Sequence, residues 1–232
     1  MKKALVVLSG GQDSTTCLFW AKKHFSEVRA VAFDYGQRHR IELDSARKVA
    51  EMAGVPIEVV DVAGLLVSRS PLTDSSVELE TYKDFQSMDA VIGDRVELTF
   101  VPMRNQFFLT LAANRALAFD CFTLVTGVCQ EDNANYPDCT GAFIDRLEVA
   151  INESLGIGHF TIETPLMNLT KAQTVQLAAD LGCLDAIAYS HTCYAGVFPP
   201  CGECHSCVLR AEGFRQAGTP DPLIERAEHE AE

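Results

Sequence analysis

Met1–Cys17 reads MKKALVVLSGGQDSTTC, an apolar run that breaks at Ser9-Gly10-Gly11 and resumes as a helix at about Asp13. The run Lys3–Leu8 is what a strand covered on both faces looks like. A plain strand-to-helix turn needs one glycine. Two in a row, flanked by hydroxyls, suit a loop that lays backbone N–H groups against an anion. Gly10 and Gly11 are read as allowing positive φ and close backbone approach, with Ser9, Ser14 and Thr15 adding hydroxyl donors. The head of the following helix adds free N–H groups and the positive end of its dipole. Asp13 would repel a bare phosphate, so it is expected either to share Mg²⁺ with one or to serve only as a helix cap. No Gly-Lys-Ser/Thr follows and no GxGxxG occurs, which excludes the Walker and dinucleotide loops.

Outward from this junction the alternation repeats. Val28–Phe33 and Ile57–Val62 are expected strands, and Asp13–His24 and Ile41–Ala53 expected helices, the second stopped by Gly54. Helix Asn105–Ala118, strand Phe122–Thr126, helix Gly141–Ser154, strand Phe160–Glu163 and helix Lys171–Leu181 follow. Strands alternating with helices of this length imply βαβ units and a parallel sheet with right-handed crossovers. Residues 64–98 are polar and aperiodic and read as a long irregular surface excursion. Beyond Cys193 the chain is rich in Gly, Pro and Cys, and its acidic end, ERAEHEAE, is expected to fray. The expected organisation is an α/β domain over residues 1–187 and a small metal-binding subdomain with an acidic tail over 188–232.

The 232 residues, 47% hydrophobic, suffice for one core and a small appendage. No apolar run approaches the ~20 residues of a membrane span. The run after Met1-Lys2-Lys3 is too short for a secretion signal, so a soluble, cytoplasmic protein is expected. A net charge of −13 argues against a general nucleic-acid surface. Of nine cysteines, three are packed in CGECHSC with Cys193 upstream, giving C-x7-C-x2-C-x2-C over Cys193, Cys201, Cys204 and Cys207. Such spacing argues for metal, and four thiolates close a structural Zn²⁺ site; an iron–sulfur cluster is the alternative. Gly202 suits the tight knuckle, and His191 and His205 lie close enough in sequence to raise a His-ligand variant. Cys17, Cys121, Cys129, Cys139 and Cys183 read as small core or turn residues.

Polar clusters fall at the carboxyl ends of the expected strands, where parallel sheets bind ligands. They are Phe33-Asp34-Tyr35-Gly36-Gln37-Arg38-His39, Val101-Pro102-Met103-Arg104-Asn105, Thr126-Gly127-Val128-Cys129-Gln130, Tyr136-Pro137-Asp138-Cys139 and Thr164-Pro165-Leu166-Met167. Thr170-Lys171-Ala172 opens the helix after the last of them.

SGGQDS resembles the pyrophosphatase loop of the ATP-cleaving α/β family that includes GMP synthetase, argininosuccinate synthetase and the tRNA thiolases. With FDYGQRH, TGVCQ, YPDC, TPLM, TCY and CGECHSC added, nearly the whole chain resembles the 7-cyano-7-deazaguanine synthases of the queuosine pathway. The resemblance implies a doubly wound parallel five-stranded sheet, adenine nucleotide α-hydrolase-like, with a small C-terminal zinc-binding subdomain. It implies conversion of 7-carboxy-7-deazaguanine and ammonia to a nitrile, with ATP cleaved to AMP and pyrophosphate through adenylated carboxylate and amide. For ATP with magnesium it implies Leu8, Ser9, Gly10, Gly11, Gln12, Asp13, Ser14, Thr15, Thr16, Cys17, Leu18, Phe33, Tyr35, Gln37 and Gly127. Catalysis falls to Asp13, Ser14, Arg38, Arg104 and Lys171, and the acceptor to Arg104, Asn105, Gln130, Tyr136 and Asp138. Arg38, Arg104 and Lys171 are candidates for charge on the α-phosphate, each with the alternative of a solvated surface cation. Asp138 either pairs with the N–H edge of a guanine-like base or is a turn residue after Pro137. One structural zinc per chain and small-molecule substrates are expected, without membrane or direct nucleic-acid contact; a homodimer is left open.

The chain departs from the family pattern in places. Met103 stands for a glycine, where it would narrow the acceptor pocket or displace Arg104. Gln130-Glu131-Asp132-Asn133-Ala134-Asn135 replaces an acidic–Thr–Asp–Phe–Ser–Gly run, and Asn168 a tryptophan. These leave open an enzyme that stops at the amide or joins the carboxylate to another amine. A tRNA thiolase, and a zinc-containing interaction module without turnover, are the other readings.

Overall fold

The computed structural model describes residues 2–130 and 134–230. Glu131, Asp132 and Asn133, half of the altered run before YPDC, lie outside them, as do Ala231 and Glu232. Five parallel strands are ordered β3-β2-β1-β4-β5: β1 (Lys3–Val7), β2 (Glu27–Asp34), β3 (Ile57–Asp61), β4 (Thr123–Val125) and β5 (Thr161–Glu163). Pleating sends alternate side chains to opposite faces, so both faces of this apolar sheet need cover. Leu5, Val31, Phe33 and Leu124 pack beneath α4 (Arg104–Ala118) and α5 (Gly141–Leu155). Ala4, Val6, Ala30, Ala32 and Val125 pack beneath α1 (Gln12–His24) and α2 (Ile41–Ala53). The doubly wound sheet is the one expected. Its order reverses between β1 and β4, and that switch point opens a crevice at the strand carboxyl ends.

Local chemistry fixes the helix ends. Gly54, at φ +65°, closes α2 with its N–H on the Ala50 and Glu51 carbonyls. Thr140 caps α5 by accepting from the Phe143 N–H, and Thr170 with Gln173 forms a capping box on α6 (Lys171–Asp180).

Two expectations are corrected. The excursion 64–98 is not irregular throughout, because it contains α3 (Phe85–Ile92), capped reciprocally by Asp84 and Ser87. Met88 is 0% exposed there, packed with Tyr82 and Ile92 against Val208 and Leu209 of α8 (His205–Ala217). The tail does not fray over its described part. After the short α7 (Leu184–Ile187), α8 is followed by α9 (Pro222–His229), which buries Leu223 and Ala227. Arg210 of α8, almost fully buried, grips the Asp221 cap of α9 through two bonds of 2.6 and 2.7 Å and also donates to Ser190. That bidentate geometry fixes the angle between the last two helices.

Among the described residues no helix is long and apolar enough to cross a membrane. If α3 is an integral layer, Met88→Ala should cost about 2–5 kcal/mol of unfolding free energy in urea titration. A loss of a few tenths would mean the excursion is only loosely attached.

Candidate active site

The crevice is a cleft of about 550 Å³ at the carboxyl ends of β1, β2 and β4. Leu8, Ser9, Gly11, Gln12, Asp13 and Ser14 form its floor where β1 passes into α1, with Gly127 beside them. A side chain at 127 is impossible without movement, since its Cβ would sit 3.0 Å from Asp13 C and Ser14 N. The Ser9 and Ser14 hydroxyls are 3.0 Å apart, and Lys171, opening α6, places Nζ 2.8 Å from Asp13 Oδ2. Gln12 is 2% exposed and neither polar atom of its amide has a protein partner. A buried amide left so costs stability unless a ligand or water satisfies it.

The glycines divide their tasks differently from the expectation. Gly10 has φ +93°, and a Cβ there would lie 2.1 Å from Glu42 O, so its role is the close approach of α1 to α2. Gly11 has ordinary backbone, φ −78°, and room for a Cβ at 3.5 Å or more.

The facing wall is aromatic and cationic. Phe33 stacks on Phe108 with centroids 4.6 Å apart, and Tyr35, Tyr136 and Tyr194 surround half-buried Arg104 at the head of α4. Burial alone would lower the Arg104 guanidinium, but Tyr35, Tyr136 and Tyr194 hold it above its ordinary value. Burial pushes the Tyr35 phenol up to about 12, partly opposed by Arg104. Asn105 lines the cleft, yet its amide nitrogen is committed to Asp138 O and Oδ1, both at 3.2 Å. Gln130 lines it too, with Oε1 accepting from Gly141 N at 3.4 Å.

Several expected residues are not brought here. Gly10, Thr15, Thr16, Cys17, Leu18, Gln37, Arg38 and Asp138 are absent from the lining. Thr15 and Thr16 spend their hydroxyls on the Gly11 and Gln12 carbonyls, and Cys17 and Leu18 belong to the core. Gln37 braces the end of β2, donating to Phe33 O and Glu42 Oε1. Arg38 donates to the Ser75 and Val77 carbonyls, tying down the excursion. Asp138, in the 3-10 turn Pro137–Cys139, accepts from Asn105 N at 3.1 Å and so caps α4. Met103 does not narrow the cleft: it is 61% exposed, in left-handed backbone of φ +63° at the head of α4. Asn168 is also exposed and outside the lining.

Sequence reading missed a whole wall. His191 N donates to Gly10 O at 2.8 Å and brings Thr192, Tyr194, His205 and Ser206 over the floor. The quoted TCY segment was the available signal. His205 is 3% exposed with both ring nitrogens unpartnered, and burial lowers its pKa. His39 and Glu42, 3.3 Å apart, complete the rim.

Behind that wall Cys193, Cys201, Cys204 and Cys207 hold their sulfurs within 4.8 Å of one another. Zinc–sulfur bonds of about 2.3 Å put tetrahedral sulfurs about 3.8 Å apart, and Cys201 and Cys207 are at 3.9 Å. Backbone N–H groups of Tyr194, Cys201 and Cys204 point at sulfurs of the cluster at 3.4 Å, as suits charged thiolates. The four residues fit one metal ion, and neither His191 nor His205 belongs to the cluster.

A 7-cyano-7-deazaguanine synthase of Chromobacterium violaceum is 50% identical over 234 aligned residues, which cover 100% of this chain and 97% of that protein. Another, from Laribacter hongkongensis, is 49% identical over 225 residues, covering 96% and 94%. Among solved structures, an NMN synthetase from Francisella tularensis covers 97% of this chain and 82% of its own at 14% identity and a TM-score of 0.49. Residues 3–218 match the family model described as queuosine biosynthesis protein QueC, and the chain belongs to that family.

Proposed function

We propose that the chain is an ATP-dependent carbon–nitrogen ligase that converts 7-carboxy-7-deazaguanine and ammonia to 7-cyano-7-deazaguanine. The observation that carries this reading is the convergence of the α1 head, the Asp13–Lys171 pair and Arg104 on one cleft at the β1/β4 switch point. A carboxylate does not react with ammonia, because its leaving group would be oxide. Attack of a carboxylate oxygen on the α-phosphorus expels pyrophosphate and leaves an acyl-adenylate. Ammonia then displaces AMP, losing a proton as the amide forms. The amide oxygen attacks a second ATP, and loss of AMP and a proton gives the nitrile. The balance is two ATP to two AMP and two pyrophosphate per nitrile.

The protein's share is positioning and charge. N–H groups at the head of α1, with the Ser9 and Ser14 hydroxyls and the unsatisfied Gln12 amide, are suited to phosphate oxygens. Lys171 and Arg104 supply positive charge from opposite walls. Asp13 would hold magnesium, which neutralises triphosphate charge when bound. Asn105, Gln130 and Tyr136 are left for the acceptor. The four cysteines would hold zinc, which fastens the segment carrying Tyr194 and His205. In this reading residues 1–187 carry the nucleotide chemistry and 188–232 the metal-fastened wall.

Incubation with 7-carboxy-7-deazaguanine, ATP and ammonium should release two AMP per nitrile, with amide accumulating when ATP is limiting. ADP as the main nucleotide product would overturn the reading, and one AMP per persistent amide would move it to an amide-forming ligase. Lys171→Met should lower kcat by about 100-fold, the usual scale for removing one charge that stabilises a transition state. Elemental analysis should find one zinc per chain. Cys204→Ser should lower both zinc content and melting temperature, because the metal's binding free energy is folding free energy. Full stability in metal-free protein would exclude the structural role.

A further inference from the structure

On the ligase reading the cleft takes a cation as well as its anionic substrates, because ammonia in neutral water is almost wholly ammonium. Among the described residues the lining holds two carboxylates, Asp13 and Glu42, and they are differently partnered. Asp13 is paired with Lys171. Glu42, in the first turn of α2, has no ion pair with Lys or Arg among the described residues, although its side chain is only 12% exposed. A carboxylate so withdrawn from water is costly until a cation reaches it. Gln37 Nε2 donates to Glu42 Oε1 at 2.9 Å, and Gln37 is itself fixed to the end of β2 by Phe33 O and Tyr35 N. Oε2 is left with His39, whose Nε2 lies 3.3 Å away. His39 is 4% exposed and lines the cleft, and its Nδ1 has no protein partner. Tyr194 packs on the His39 ring with centroids 5.7 Å apart. His191 is a further titratable group near the pair, its Nε2 bonded to Cys193 O at 3.2 Å.

We propose that Glu42 and His39 form the ammonium subsite of the reaction, Glu42 Oε2 holding the cation and the His39 imidazole taking a proton from it. The proton passes from nitrogen to His39 Nε2, and the freed lone pair forms the C–N bond to the acyl-adenylate carbonyl carbon. The bond from that carbon to AMP breaks, and the AMP phosphate carries off the proton that the new amide sheds. His39 then returns its proton to water. Proton transfer sets an imidazolium against Oε2, so the carboxylate that held the cation keeps a positive partner after ammonia has left. Tyr194 connects the pair to Arg104 and Tyr136, on the acceptor side of the cleft. The inference deepens the ligase reading and rests on it.

Steady-state kinetics of the full chain with 7-carboxy-7-deazaguanine and ATP, using two nucleophiles, test the subsite. Hydroxylamine, mostly uncharged at neutral pH, attacks an acyl-adenylate without first losing a proton. Glu42→Gln should raise the KM for ammonium by about tenfold or more, the scale of one charged hydrogen bond, and leave that for hydroxylamine within about twofold. His39→Asn should lower kcat with ammonium by about 100-fold, the scale of one general base, and hydroxamate formation by no more than about threefold. In wild type the KM for total ammonium should hold within about twofold across one pH unit near neutrality, whereas capture of free ammonia would lower it about tenfold. Equal losses with both nucleophiles, a raised KM for ATP in place of the ammonium effect, or a wild-type KM that tracks free ammonia would overturn the inference. If neither variant folds, the wild-type measurement decides alone. Exchange of labelled pyrophosphate into ATP, dependent on the deazaguanine carboxylate, follows activation without any amine. Its absence in wild type would instead overturn the proposed function.

Discussion

Two backbone segments approach the head of α1 more closely than side chains allow, and the rest of the molecule is arranged around that approach. At Gly10 the strand-to-helix turn meets the Glu42 carbonyl of α2; at Gly127 the end of β4 meets the first turn of α1. Wedged between them, α1 has no freedom to tilt, and its first N–H groups are aimed into the crevice between β1 and β4. The same economy of space recurs at Gly213 of α8, where a Cβ would fall 2.5 Å from Lys171 Cγ. The cation beside Asp13 is thus pressed into place from behind.

The central α/β layer was legible because its signals are short in range. An apolar run of five residues, a glycine stop and a Thr-x-x-Gln box each act within a few positions, and all five strands were placed within about two residues of where they occur. What escaped depends on distant partners. The pattern of α3 is weak on its own, its cap pairs Asp84 with Ser87 rather than with Glu or Gln, and its apolar face meets α8 far along the chain. The acidic end reads as a fraying tail, yet Leu223 and Ala227 seat α9 once Arg210 holds its cap.

The site divides along the same line. The floor is legible in SGGQDS, and the four-cysteine cluster in its spacing alone. Arg38 and Asp138 stand within FDYGQRH and YPDC, but a cation and a carboxylate are also what loops use to satisfy carbonyls and helix heads, and the structure engages both in that way. Thr192 and His205 stand inside TCY and CGECHSC, where the neighbouring cysteines take the attention. They reach the cleft only because His191 bonds Gly10, and because the cysteines gather the chain behind them.

The bridge between Thr81 and Cys204, with Tyr82 N donating to Glu203 O at 2.7 Å, has a consequence for how the chain comes to exist. During vectorial synthesis Tyr82, Met88 and Ile92 emerge long before Val208 and Leu209, the side chains that cover them. The central strand β1 likewise waits for β4. Contacts so distant in sequence form late, and apolar surface awaiting them is open to other chains in the interval. The closing act is therefore the arrival of α8, and a ribosome that stalls ahead of the cysteine cluster would release a chain with one layer laid down and nothing to lie against it.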